Sequence, residues 1–467
     1  MYSKKYNIKN KNIFENNFTI FYLILILFIT RVFFYTLGLK SGDHLPHMWQ
    51  LLSPDLLDKD YLRSLLYLHY QPPLWNSLYG IFIKIFGTDW KILSNTINIF
   101  NIFCTFLITI YFYLLCCEFN LSRFKIYFLF IIFIGISPSI LMYENFVHYT
   151  NLSVLFFIQI SYYVIKFEKE QNIKNELKIY IFLILLMYTW SAFSQPLILI
   201  LFGILLFITR NKKKYISLIL LMICLVISIL PSLKNKYLLN HFSTTYGPGL
   251  QLIQVLERYD YQYPLCSFEF VDIDVHEKLY RENNKEFFFD HPSLIGKKSR
   301  YNSIAFIHRS KSCLPIAIKF IKDDPINFIK IVKFNLISSH GHFAFDFGQK
   351  PKNWNKIFGF FDELKSDELT NKIKVRSLQL YHIIFHLFFT FILFFYFKNK
   401  KNRSHKRHLS LLSIYLLYAW IIFISHVGAG FEFERMRHTG HALHIIFFIL
   451  LIKNNFNVFN IIKKIIN

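Results

Sequence analysis

Apolar runs close to 20 residues long recur along the chain, separated by short polar segments rich in lysine and arginine. An α-helix needs about this length to cross the hydrocarbon core of a membrane. The pattern predicts ten spans, at about 18–37, 90–116, 126–143, 151–166, 179–194, 196–209, 215–232, 379–397, 408–426 and 441–452. We therefore expect an all-α polytopic membrane protein. Its first span is a permanent anchor, because no small-residue cleavage site follows it.

One further apolar segment, residues 72–87, decides how the later spans are oriented. It begins with Pro72-Pro73 and carries Lys84 in its middle, which suits a helix in the membrane interface better than a crossing. With that choice, every short basic loop lies on the cytoplasmic side, as the positive-inside rule requires. These loops are 118–125, 166–178, 210–214, 398–407 and the tail from Lys453. Both chain ends are then cytoplasmic.

This orientation divides the chain into three regions. Residues 1–232 form an N-terminal membrane region with a first outer loop at 39–88, and residues 379–467 form a C-terminal membrane region. Between them, residues 233–378 are polar and long enough for a small extracytoplasmic domain, which we expect to mix helical and extended structure.

Composition agrees with a membrane protein and narrows the function classes. Of 467 residues, 54% are hydrophobic and 18% charged, against about 25% charged in soluble domains, which excludes a soluble enzyme and a disordered chain. The net charge of +24 is scattered between apolar spans, so we expect no nucleic-acid partner. Cys266 and Cys313 fall in the outer region, where the compartment permits a disulfide without requiring one.

Two carboxylates stand at the outer ends of predicted spans. Asp43 follows the first span, and Glu144 ends the third, so the chosen orientation places both on the same face. A carboxylate at the membrane edge can act as a general base or hold a cation against a phosphate. The alternatives are an ordinary polar loop residue for Asp43 and an interfacial side chain that reaches water for Glu144. His148, four residues after Glu144, is a candidate to share its site.

Two arginines precede the last span on the same face. Arg435 and Arg437 run against the orientation trend, which calls for a reason beyond topology. The planar fork of an arginine suits phosphate oxygens, so an anionic lipid headgroup or a pyrophosphate would explain them. The alternative is a surface ion pair between Glu434 and Arg435, which would stabilise little.

Histidines raise the question of a metal ion. His438, His441 and His444 recur at a spacing of three, which places them along one side of a helix, and His340 and His342 form a second pair. Such groups can bind a metal, but no carboxylate partner is identifiable. The sequence therefore leaves a divalent metal open and indicates no other cofactor.

Taken together, the layout resembles the GT-C glycosyltransferases, and within them the branch of protein O-mannosyltransferases and lipid A aminoarabinose transferase. The likeness rests on Asp43 after the first span, the segment His69-Tyr70-Gln71-Pro72-Pro73-Leu74, the second-loop acid Glu144, and Glu434-Arg435-Met436-Arg437. It departs at His44, where that branch usually has a second acid, and at Thr439-Gly440-His441, where a proline is common.

The resemblance implies an inverting transfer of sugar from a polyprenyl-phosphate carrier to a lipid, glycan or protein acceptor. Asp43 would be the base, with Glu144 as a second catalytic acid. The expected substrate-binding residues are His69, Gln71, His148, Arg435 and Arg437. The protein would be a multi-pass protein of a bacterial cytoplasmic membrane, surrounded by lipid, with the site facing outward.

Other functions stay open at this point. A polymerase or ligase of lipid-linked oligosaccharides would prefer a long outer loop with functional residues such as His291, Arg300 and Arg309. A transporter or flippase of lipid-linked sugar would place paired polar residues in mid-membrane and show internal repeats. A non-catalytic membrane subunit would tolerate substitution at Asp43 and Arg435.

Overall fold

The chain is predominantly helical. The computed structural model describes residues 2–40, 51–52, 54–69, 71–194, 196–210, 214–245, 304–339, 352–358, 368–398, 405–428 and 438–453, with isolated positions between 249 and 299. Its helices are α1 (Tyr2–Thr36), α2 (Pro54–Lys59), α3 (Tyr61–Tyr67), α4 (Pro73–Phe86), α5 (Trp90–Glu118), α6 (Arg123–Phe130), α7 (Pro138–Glu144), α8 (Thr150–Glu170), α9 (Ile173–Thr189), α10 (Pro196–Thr209), α11 (Lys214–Leu239), α12 (Ile304–Asp323), α13 (Pro325–Ser339), α14 (Trp354–Phe358), α15 (Glu368–Lys398), α16 (His405–Gly428) and α17 (His441–Lys453). Two strands of two residues each, β1 (His291–Pro292) and β2 (Lys298–Ser299), pair antiparallel.

Four helices of the described residues are long and apolar enough to cross a membrane: Phe18–Thr36, Trp90–Glu118, Thr150–Glu170 and Lys214–Leu238. The bent pair Arg123–Gly135 and Pro138–Glu144 makes a fifth if it counts as one span, and Pro196–Thr209, Ser410–Ile424 and His441–Lys453 are apolar but shorter. An all-α, membrane-type chain is therefore confirmed. The ten expected spans are not all represented among these helices of the described residues, where one predicted span is broken and others are covered only by shorter apolar helices.

The clearest break falls inside the predicted span 126–143. Helix α6 continues through a π-helical turn, Ile131–Gly135, and helix α7 starts again at Pro138. Proline lacks an N–H group and disfavours helical geometry at the residue before it. The two halves are bent by 49°, so the carbonyl groups at the end of the first half are left without helical partners.

Residues 72–87 form the short helix α4, as the double proline predicts. At 14 residues it is about 21 Å long, too short for a hydrocarbon core of about 30 Å. The hydroxyl of Tyr61 donates to the carbonyl of Ser77 (3.1 Å), and Gly80 lies directly against the Tyr61 ring. The side-chain oxygen of Asn76 accepts from the backbone N–H of Leu52 (2.7 Å). These bonds fasten the first loop onto α4.

Helix α8 lies at the centre of the bundle, and 94% of its span is buried. Polar side chains join it to α5: Asn151 donates to the hydroxyl of Thr105 (3.3 Å). Asn101 of α5 also donates to the carbonyl of Phe146, in the segment that precedes α8 (2.9 Å). By contrast, the spans of α1 and α11 are only 22% and 28% buried. Their exposed apolar side chains suit contact with lipid.

The described part of residues 233–378 is largely helical and also contains the short strands β1 and β2, while the expected domain of mixed structure stays a prediction. Helices α12 and α13 pack around a small core that includes Cys313, Ala317 and Phe320. Cys266, the partner that the compartment would permit for Cys313, lies outside the described residues. Helix α14 packs on the end of α1, where the backbone N–H of Lys352 donates to the carbonyl of Lys40 (2.9 Å).

Candidate functional site

A buried ion pair joins α1 to the end of α7. The Nη2 atom of Arg31 lies 2.6 Å from Oε1 of Glu144, and its Nε atom donates to both carboxylate oxygens, at 3.1 and 2.8 Å. The side chain of Glu144 is only 2% exposed. This is the two-pronged geometry in which arginine binds a carboxylate most strongly.

The remaining donors of Arg31 serve the bend between α6 and α7. Its Nη1 atom donates to the carbonyl of Gly135 (2.6 Å), and its Nη2 atom donates to that of Ile134 (3.1 Å). Both carbonyls belong to the turn that Pro138 interrupts. A cation at the C-terminal end of a helix also complements the negative end of the helix dipole. One guanidinium therefore ties together α1, the end of α6 and the end of α7.

Glu144 lies at an unfavourable position for a lone carboxylate. It is the last residue of α7, where the helix dipole disfavours negative charge, and it is removed from water. An unpaired charge buried in this way is costly. Arg31 thus supplies the opposite charge that this buried position calls for.

Aromatic contacts bring two predicted binding segments to the same place. The ring centre of Trp75, in the first turn of α4, lies 6.2 Å from that of Tyr149. The ring centre of Tyr149 lies in turn 3.8 Å from that of His148. His69 and Gln71, which precede α4, are both buried. The predicted residues His69 and Gln71 therefore lie at the same end of the bundle as Glu144 and His148, here called the Glu144 end.

The start of the last apolar helix reaches this end as well. His438 stacks on Tyr143, the neighbour of Glu144, with ring centres 4.6 Å apart. His438 directly follows the predicted residue Arg437 in the sequence. Arg435, Arg437 and Asp43 themselves lie outside the described residues, so their predicted roles stay predictions.

The three histidines at spacing three have separate partners. His441 Nε2 lies 2.7 Å from the carbonyl of Phe133, while His444 contacts the hydroxyl groups of Tyr381 (2.6 Å) and Tyr418 (3.3 Å). In the part of the chain that the structure describes, no group of three or more His, Cys, Asp or Glu side chains could hold a metal ion. A metal site would need residues beyond those described.

The C-terminal end of α11 also belongs to the Glu144 end. Lys234 donates to the carbonyl of Leu68, the residue before His69. Beyond it, the hydroxyl of Thr244 donates to that of Ser194 (2.6 Å), which holds this end of α11 against the turn after α9. Burial lowers the pKa of His241, so its ring is neutral at pH 7 and donates to the carbonyl of Thr245 (3.0 Å).

Arg31 and Lys234 are the two charged residues that sequence reasoning missed at this end. Arg31 interrupts an apolar run, FYLILILFITRVFFYT, and an ionisable residue within a span is a functional candidate by default, with a partner to be sought. An arginine within an apolar run is visible in the sequence and could have identified Arg31. Lys234 carried no comparable signal, because it follows the predicted span 215–232 by two residues and looks like an ordinary flanking lysine.

Comparisons with known proteins add little to this geometry. No family model matches the chain, and no curated protein matches it. The chain is similar to a solved structure of the Archaeoglobus fulgidus oligosaccharyltransferase in its apo form, at 15% identity and a TM-score of 0.40. The match covers 94% of this chain and 51% of that one, so the chain spans about half the length of that protein. A likeness at this level assigns neither a family nor a residue role.

Proposed function

We propose that this protein is a membrane glycosyltransferase of the GT-C type. It moves a sugar from a polyprenyl-phosphate carrier to a lipid, glycan or protein acceptor on the extracytoplasmic face, with inversion. One observation carries the proposal. Four segments that contain or adjoin the residues of the resemblance have described parts that meet at one end of the bundle. Those segments are the end of α1, the His69–Leu74 segment, the Glu144 loop and the start of α17.

Asp43 is the proposed base of the reaction. It takes the proton of the acceptor hydroxyl or amine as that atom forms its bond to the anomeric carbon of the sugar. The bond from the anomeric carbon to the phosphate oxygen breaks, and its electron pair stays on the phosphate. Arg435 and Arg437 are proposed to stabilise the departing phosphate, where negative charge develops.

Glu144 is proposed to act at this site through Arg31 rather than alone. Both of its oxygens accept hydrogen bonds from Arg31, which leaves it poorly suited to take a proton from the acceptor. The pair instead fixes the end of α1, from which the chain continues to Asp43. His69, Gln71 and His148 complete the proposed substrate-binding set.

The proposal includes the orientation derived from the charge pattern. The chain crosses a bacterial cytoplasmic membrane ten times, with both chain ends in the cytoplasm and the Glu144 end facing outward. Long runs of exposed apolar side chains on α1 and α11 support a position within lipid. The distribution of lysine and arginine between the short loops supports the direction.

The test is transfer of labelled sugar from a polyprenyl-phosphate donor by the purified protein in detergent, with and without a chelator. We expect Asp43→Asn to reduce transfer by at least about a hundredfold, the usual contribution of a positioned general base. Asp55→Asn, in the exposed first turn of α2 in the same loop, is the matched control and should keep full activity. Full activity of Asp43→Asn would refute the assignment of the base.

The same labelled donor, supplied to the protein reconstituted in vesicles, separates the competing function of a transporter. The polar seam between α5 and α8, with Asn101, Thr105 and Asn151, is the feature that a transporter of lipid-linked sugar would use. A transporter would move the labelled lipid across a vesicle membrane without forming a covalent product. A polymerase or ligase would instead form a product that contains several sugar units.

A further inference from the structure

Lys234 places a positive charge at the Glu144 end of the bundle. Its ammonium group donates to the carbonyl of Leu68, and among the described residues no carboxylate forms an ion pair with it. A charged group that is partly removed from water is stabilised by an opposite charge. The neighbouring Lys236 differs, because it is exposed and donates to the side chain of Asn240 (2.5 Å).

Further donors lie on the segment that Lys234 contacts. Leu68 leads within five residues into the N-terminus of α4. Pro72 and Pro73 carry no N–H, so the first backbone donors of this helix are those of Leu74 and Trp75, and its N-cap provides no side-chain hydrogen bond. Gln71, just before this N-terminus, is more than nine-tenths buried, and its Oε1 atom has no hydrogen-bond partner in the described structure. A turn of the amide would present its NH₂ group instead, since the two orientations differ only in hydrogen bonding.

An exposed apolar face of α11 extends along the helix as far as Lys234. Val226, Leu230 and Leu233 are spaced for one face of a helix and are 61%, 50% and 51% exposed. This apolar face ends at the ammonium group. A lipid with a long hydrocarbon tail and a phosphate head has the matching distribution of apolar and negative groups.

We propose that Lys234, with Gln71 and the N-terminus of α4, binds the phosphate group of a lipid whose tail lies along α11. This rests on the proposed function, in which that lipid is the polyprenyl-phosphate carrier. Lysine binds phosphate as a compact point charge, and helix N-termini accept anions through their free N–H groups. Lys234 is then a further substrate-binding residue, beside the segment 69–74.

The test measures binding of fluorescent polyprenyl phosphate to the full-length protein in nanodiscs. We expect Lys234→Gln to weaken binding about tenfold, as loss of one charge-assisted contact does. Glutamine keeps a donor for the carbonyl of Leu68, so the fold should survive. Lys234→Arg should bind within about threefold of the wild type, because the charge is kept. Lys236→Gln is the matched control and should bind like the wild type.

Several outcomes would overturn the inference. One is wild-type affinity in a folded Lys234→Gln protein, and another is an equal loss in Lys236→Gln. Failure of the wild type to bind polyprenyl phosphate would also overturn it, as would full competition by phosphatidylglycerol, which would mark a site for ordinary anionic lipid. The sugar-transfer assay is separate: binding that depends on Lys234 without any transfer would refute the proposed function and leave the lipid site standing.

Discussion

The pairs Arg31–Glu144 and Arg210–Glu176 invite comparison, because each buries a glutamate against an arginine, at opposite ends of α8. Glu144 lies next to the start of α8, and Glu176 lies next to its end, in the first turn of α9. Both carboxylates are almost fully buried, at 1% and 0% exposed. Arg210 also lies over the ring of Phe167, 5.9 Å from its centre.

The two pairs differ in what else stabilises the carboxylate. Glu144 closes α7 at the negative end of that helix, whereas Glu176 lies near the positive end of α9, four residues after its N-cap Asn172. Negative charge is favoured at a helix N-terminus and disfavoured at a C-terminus. Glu144 therefore depends on its arginine alone, while Glu176 shares its stabilisation with the helix. The position of a charged residue within its helix therefore decides how strongly its stabilisation depends on the ion pair.

The largest effect is expected for Arg31→Met. The substitution leaves Glu144 buried without a cation and removes the donors to the carbonyls of Ile134 and Gly135. Breaking a buried pair in this way costs about 3–5 kcal/mol. The free energy of unfolding in mixed detergent micelles measures this loss. Arg376→Met, at an exposed position on α15, should change it by less than about 0.5 kcal/mol, and an equal loss at both sites would contradict the comparison.

A smaller loss is expected for Arg210→Met. Glu176 keeps the favourable end of α9 after its partner is removed, so we expect a cost of about 1–3 kcal/mol, the range for a buried polar group that loses a partner. The same unfolding measurement applies, with Glu176→Gln as a companion variant that removes the charge instead of the arginine. If Arg210→Met destabilised the protein as much as Arg31→Met, helix position would not explain the difference between the pairs.

No change in stability is expected from the variants that test which end faces outward. In a protein whose native cysteines are replaced, Asp55→Cys in the first loop should react with a membrane-impermeant thiol reagent in intact cells. Lys212→Cys, beside Arg210, should react only after the membrane is opened, because the basic loop 210–214 is expected in the cytoplasm. The reverse pattern would overturn the orientation and with it the outward placement of the Glu144 end.

Much of the fold was predictable, because the signals involved are local. The lengths of the apolar runs predicted the spans that became α1, α5, α8 and α11, and Pro72-Pro73 predicted the short helix α4. Pro138, at the break, was also visible in the sequence. The run 126–143 nevertheless looked like one span, because hydropathy measures how apolar a segment is and does not register the N–H group that proline lacks. Within the described residues, this break leaves the segment as a bent pair of helices, and the total of ten crossings stays a prediction.

The roles of the predicted site residues stay predictions, whereas the contacts around them could not be read from the sequence at all. His69, Gln71, Glu144 and His148 lie at one end of the bundle. Their partners were not foreseeable: Arg31 is 113 residues from Glu144, and Lys234 is 166 residues from Leu68. No spacing rule spans such distances, since the pairing depends on how α1 and α11 pack against the bundle.

The sequence by itself determined that this chain belongs in a membrane, because burying so many apolar side chains per residue is favourable only where lipid surrounds them. It also determined which loops carry the orienting charge. Only the tertiary structure decided the partner of Glu144: the sequence placed this carboxylate at the outer end of a span, and the fold pairs it with Arg31. Whether a carboxylate is available for chemistry depends on the charges and donors around it in space, and those come from segments far apart in the chain.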